Sequence, residues 1–263
     1  MPGYVIHMAM AETIIANGLF SDRASADLFR LGSVAPDALT VGEPPVKQIS
    51  HFWNKTSLQH LKRTPDLHTF LHAYGERLAD PYVFGYYGHL FLDTYFVDEY
   101  WSRHFVFLND RMEAEEGYDE VAFVKLVDTG EVFPRTDFFS DRLYYGDYDR
   151  MNATFVREYD VRVPEIPVGY IAPVREVPLD VAGDRIREMF SLVDAVSGTV
   201  GSSLVDAVSG TVGSSPGAVS DARNEVGSGI TGDDMPLVFD PEDLHEMIGL
   251  VGKKLLALYP SGD

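Results

Sequence analysis

The sequence predicts an all-α fold, a compact multi-helix bundle, and three observations predict it. At least six segments place apolar residues at helical spacing, several of these open on an Asp or Ser cap or an Asp-Pro pair, and no stretch alternates persuasively enough to be a strand. The chain has 263 residues, 45% hydrophobic and 24% charged, without cysteine. A chain of that length removes roughly 70 to 75% of its unfolded surface from water, so residues 1–263 read as one domain held by its own core. The lack of cysteine excludes disulfides and thiolate nucleophiles and leaves His, Asp and Glu as the strong metal ligands.

From His7, the residues Met10, Ala11 and Ile14 recur at helical spacing and Asn17-Gly18 supplies a stop, giving a helix over 5–17. Ser21-Asp22 caps a second helix with Ala24, Leu28 and Leu31 inward and Gly32 at its end. Residues 32–48 hold three prolines and two glycines and read as an irregular surface loop. Thr64-Pro65 opens a helix with Leu67, Phe70, Leu71, Tyr74 and Leu78 on one face. Asp80-Pro81 opens the next, and the residues that follow, YVFGYYGHLFLDTYFVDEYW, are apolar on nearly every side until Asp98, the mark of a buried helix. Gly85 and Gly88 within it each cost about 1 kcal/mol of helix propensity, a cost tolerated where another helix must approach closely.

Beyond residue 105 the periodicity weakens. Segments 118–127 and 147–159 can be helices, and 160–180 is punctuated by proline and reads as extended. Residues 191–202 recur unchanged at 203–214, and Gly, Ser and Asp remain frequent to about 234, so 191–234 reads as a flexible insertion. Deleting one copy should shift the melting temperature little, because loop closure changes by only about 0.6 kcal/mol per doubling of length. Asp240-Pro241 caps a last helix with Leu244, Met247, Ile248, Val251, Leu255 and Leu258 on one face.

Lys and Arg number 21 against 41 Asp and Glu, a formal charge of −20, and no window supplies the basic stripe that a phosphate backbone requires. Nucleic acid is therefore excluded as a partner. No run reaches the ~18 apolar residues of a membrane span, and no basic region precedes the first apolar residues, so the expectation is a cytoplasmic protein without a membrane span. The sequence does not define an oligomeric state.

His89 and Asp93 are four apart and share one face of the buried helix with Tyr82, Tyr86, Phe96 and Tyr100. A buried carboxylate needs a partner, which leaves a mutual hydrogen bond, an arginine or a shared metal ion. His7 lies on the apolar face of the first helix, as a core histidine or as a ligand. Asp37 and His51 bracket the proline-rich loop, where loop ends bring side chains to a scaffold. His68, His72 and Glu76 share a helix side that reads as solvated, and His60 has no periodic context.

Taken together, His7, Pro36-Asp37, His51-Phe52 and the segment GYYGHLFLD ending in His89 and Asp93 resemble, over residues 1–105, the zinc-dependent phospholipase C family. The short bacterial branch looks most similar, and the family is related to the zinc-dependent single-strand nucleases. The resemblance implies a helical bundle with a central metal site, His7, Asp37, His51, His89 and Asp93 as ligands, and one or two zinc ions, with iron, manganese or nickel as substitutes. It implies a metal-dependent phosphodiesterase acting on a small phosphoester or phospholipid head group, with Asp37 as catalytic residue. After Asp93 the chain departs from the family's three-metal pattern, offering only His104 and His245 with Asp98 and Glu99. A metal-binding but catalytically silent protein, or a metal-free helical module, are the competing expectations.

Overall fold

The computed structural model describes residues 2–38, 46–198 and 236–260. The elements run α1 (Tyr4–Ala16), α2 (Arg23–Val34), α3 (Val46–Ser50), α4 (Leu67–Tyr74) and α5 (Pro81–Tyr95), which passes through a π-helical segment (Phe96–Trp101) into the single turn α6 (Ser102–His104). Three strands follow, β1 (Phe105–Leu108), β2 (Phe123–Leu126) and β3 (Val132–Pro134), then α7 (Arg135–Phe138), α8 (Tyr144–Glu158), α9 (Leu179–Gly198) and α10 (Pro241–Leu258). The protein is thus mostly helical but not all-α. The sheet is antiparallel in the order β1-β2-β3, pairing Phe105 with Leu126 and Val124 with Phe133.

Four helix starts are set by aspartate side chains. Asp22 accepts from the Ser25 N–H, Asp66 from Thr69, Asp80 from Tyr82 and Val83, and Asp240 from Glu242 and Asp243, each satisfying N–H groups that lack a partner within the helix. Asp66 replaces the expected Thr64 as the cap of α4. The second helix does not end at Gly32 but runs to Val34, and a 3₁₀ turn (Ala35–Ala38) follows, so the expected irregular loop starts later. Gly32 stays helical because α5 crosses there: a Cβ on Gly32 would overlap the Tyr82 carbonyl, and one on Gly85 the Phe29 carbonyl. The close approach expected of Gly85 is therefore made against α2, backbone to backbone. Around this crossing lie Phe29, Leu31 and Val34 of α2 and Tyr82, Phe84, Tyr86 and Leu90 of α5, all fully buried.

Two further expectations are corrected. Segment 118–127 is no helix; Phe123–Leu126 is the middle strand, half of it packed on the core. The first repeat copy starts inside a helix, since α9 carries Ile186, Met189, Phe190 and Val193 into the core at spacings of three and four. The remainder of the supposed insertion, 199–234, lies outside the described residues. Where the chain resumes, the buried Asp147 of α8 accepts from the N–H groups of Leu237, Val238 and Phe239 at 2.7–3.0 Å and from Arg150 at 2.7 Å. This carboxylate fixes the path into α10. Among the described residues no helix is long and apolar enough to cross a membrane.

Candidate metal centre

Five side chains from four segments meet beside the α2–α5 crossing. His7 comes from α1, Asp37 from the 3₁₀ turn, His51 from the end of α3, and His89 and Asp93 from one face of α5. One potential ligand atom each from His7, His89 and Asp93 lie within 4.8 Å of one another, and so do those of Asp37, His51 and His89. All five residues expected from the sequence are brought together. His7, His51, His89 and Asp93 are fully buried, and only Asp37, with 16% of its side chain exposed, reaches toward solvent.

The chain around each ligand orients it. His89 Nδ1 donates to the Ser33 carbonyl at 2.9 Å, which turns Nε2 inward. His51 Nδ1 donates to the Lys47 carbonyl at 3.1 Å with the Ser50 hydroxyl at 2.9 Å, and its Nε2 also points inward. Tyr86 OH donates to the Ser50 carbonyl and ties this corner to α5. Phe52 then reverses the chain at φ 54°, a left-handed conformation that costs a non-glycine residue energy and is held by ring contacts with Phe70, Tyr74 and Tyr86. Backbone carbonyls that fix imidazole tautomers are the outer partners metal-binding histidines use.

Inside this frame the groups face one another at 3.3–3.5 Å. His89 Nε2 is 3.3 Å from His51 Nε2, and both stand 3.5 Å from Asp93 Oδ2. Asp93 Oδ1 is 3.4 Å from His7 Nε2, and Asp37 Oδ1 is 3.3 Å from His51 Nε2. The His7 and His89 rings stack with centroids 3.7 Å apart. Both nitrogens of His7 and both oxygens of Asp93 are buried without a hydrogen-bond partner. Buried polar atoms left so cost about 1–3 kcal/mol each, more when charged, and mark a place for a further group. The donor set of imidazole nitrogens and carboxylate oxygens fits a divalent transition metal.

The electrostatics agree. Burial, reinforced by His89, drives the His7 imidazole down to about 4, and burial likewise lowers His51, so both are neutral and able to donate a lone pair. For His89 burial pulls the same way, but Asp93 and Asp37 outweigh it and raise its pKa. Burial would raise both carboxylates, yet Lys47 and His89 hold Asp37 well below its ordinary value, and His89 and His7 do the same for Asp93. Lys47 Nζ lies 3.7 Å from Asp37 Oδ1, the one ammonium that touches the cluster among the described residues.

Other sequence candidates lie elsewhere. His68, His72 and Glu76 are exposed, as a solvated face requires, and Asp98 and Glu99 are exposed too. His104 bonds Asp243 and His245 bonds Tyr159, away from the cluster. Sequence reasoning missed Lys47, although its spacing of four before His51 carried the signal, and Ser33, whose contribution is a backbone carbonyl with no signal at all. Comparison of the chain with protein-family models, with curated proteins and with solved structures gives no match in any of the three.

Proposed function

We propose that the chain is a metal-dependent phosphoester hydrolase, similar to the zinc-dependent phospholipases C, that works through His7, Asp37, His51, His89 and Asp93. The observation that carries this reading is the set of unpartnered atoms on His7 and Asp93 in a fully buried cluster. His51 Nε2, His89 Nε2 and Asp93 Oδ2 would hold one ion, joined by Asp37, and His7 with Asp93 Oδ1 a second. His89 serves one ion only, since its Nδ1 is committed to Ser33. Zinc suits these ligands, and iron, manganese or nickel accept the same set. A bound ion of this kind lowers the pKa of water toward about 7 and offsets charge on a phosphoryl oxygen.

The chain's own residues supply the rest. Asp37, at the partly open edge, accepts hydrogen bonds from water and orients it; a carboxylate held this low is a weak base, so orientation rather than proton storage is its part. Lys47, also partly open, faces the same edge and would bind a phosphoryl oxygen of a small phosphoester or phospholipid head group. Replacing it, Lys47→Met, should raise KM about tenfold or more, the worth of one charge-assisted hydrogen bond, with metal content unchanged; steady-state kinetics beside metal analysis checks this.

A metal-binding but catalytically silent protein is the second reading, favoured by His104 and His245 lying away from the cluster. Two measurements decide. Mass spectrometry of tag-free protein should find one or two transition-metal ions per chain, and the loaded protein should hydrolyse bis-p-nitrophenyl phosphate or phosphatidylcholine. Full metal with no hydrolysis leaves the silent reading; no metal removes both.

A further inference from the structure

A cavity of about 600 Å³ opens where the end of β2, one face of α8 and the start of α10 meet, with His104 on its wall. It is separate from the candidate metal centre, none of whose five residues lines it. Its size falls within the range of small-molecule sites, about 300 to 1,000 Å³. Its apolar part is formed by Leu126, Met151, Phe155, Val238 and Phe239, all buried, and its charged part includes the carboxylates of Asp128, Glu158 and Glu242. Of these, Asp128 faces His104 Nδ1 at 3.6 Å and Glu158 faces His245 Nε2 at 3.2 Å, so that acids still outnumber the wall's one arginine among the described residues.

The lining features that could attract an anion are already satisfied. Arg150, the one Lys or Arg on the wall among the described residues, is bound to Asp147 at 2.7 Å and to the Arg142 carbonyl at 3.1 Å. The α10 N-terminus is capped by Asp240 and carries Glu242 and Asp243 in its first turn. Both histidines are held by neighbours: His104 Nε2 by Asp243 at 2.9 Å, and His245 by Tyr159 OH at 2.7 Å and Glu158 at 3.2 Å. The wall is also preformed, since Asp147 anchors three successive N–H groups from Leu237 to Phe239.

From this apolar floor under a carboxylate rim we propose a second binding site, for a small amphipathic organic cation: an ammonium group on an apolar or aromatic body. The body covers the floor and the ammonium donates to rim carboxylates, an exchange of solvent for apolar contact and charge-assisted hydrogen bonds.

The test is calorimetric titration of the full chain with tryptamine at about 150 mM salt, where long-range attraction to a −20 protein is screened. Saturable one-to-one binding is expected, with no comparable binding of indole-3-propionate, which carries a carboxylate on a similar body. The double variant Asp128→Asn, Glu158→Gln should weaken tryptamine about tenfold or more. Thr154→Trp, which fills the cavity from an exposed position of α8, should abolish binding, and Glu246→Gln, off the wall, should leave it unchanged. Absence of saturable binding, equal binding of the anion, or unchanged affinity in both lining variants would overturn the proposal.

Discussion

Asp93→Asn should give a folded protein that no longer gains stability from added metal. With free zinc a thousandfold above Kd, the unaltered chain should gain about 4 kcal/mol by mass action, a rise in melting temperature of roughly 8 to 16 °C for a chain of this size. Asp93 offers one oxygen toward His7 and the other toward His51 and His89, so the amide removes the charge that all three histidines face. The rise should collapse in the variant, and under the proposed function phosphodiesterase activity should fall with it. In chelator the two proteins should differ by only about 1–3 kcal/mol, because Asn keeps the shape and removes only the charge that faces His7, His51 and His89 at 3.4–3.5 Å. Melting curves with and without chelator, beside metal stoichiometry, separate the cases. Full metal content in the variant would mean that Asp93 is a histidine partner and not a ligand.

Gly85→Val should destabilise by about 3 kcal/mol or more. The new Cβ meets the Phe29 carbonyl and the backbone of Gly32 and Ser33, which cannot rotate away, so α2 and α5 must part. Their separation would also stretch the bond from His89 to the Ser33 carbonyl, and metal affinity should drop. Gly88→Ala is the contrast. Its Cβ meets only the side-chain ends of Leu255 and Met10, at 3.5 Å, while alanine gains about 1 kcal/mol of helix propensity. Urea unfolding should therefore show a loss at 85 and a neutral or positive change at 88; equal losses would refute the backbone-contact account.

What the sequence made legible follows from how local each signal is. Caps at Asp22, Asp80 and Asp240 act within three residues of themselves and were readable, as was the face shared by His89 and Asp93. The strands were not, because Phe123–Leu126 and its neighbours are too short for alternation to emerge. Helix α9 was readable in principle from Ile186, Met189, Phe190 and Val193, but the Gly- and Ser-rich repeat beginning at 191 drew attention to itself. Gly32 shows the opposite limit. A glycine near proline reads as a stop, and only the partner helix, distant in sequence, makes it a crossing point. The convergence of His7, Asp37 and His51 on α5 likewise depended on long-range packing and was suggested only by family resemblance.

In an unbroken α-helix His104 would lie on nearly the same side as Asp93, since eleven residues at about 100° each return to within about 20°. The π-helical segment between them prevents this. The π turn takes up one extra residue, so everything after it lags the α-helical register by about 100°. One continuous run of backbone thus presents two chemically distinct faces in succession, the first lined with ligand atoms and the second turned to a different cavity. Phe96–Trp101 works as a phase shifter, and winding it as regular α-helix without changing its length would bring the second histidine round toward the side of Asp93.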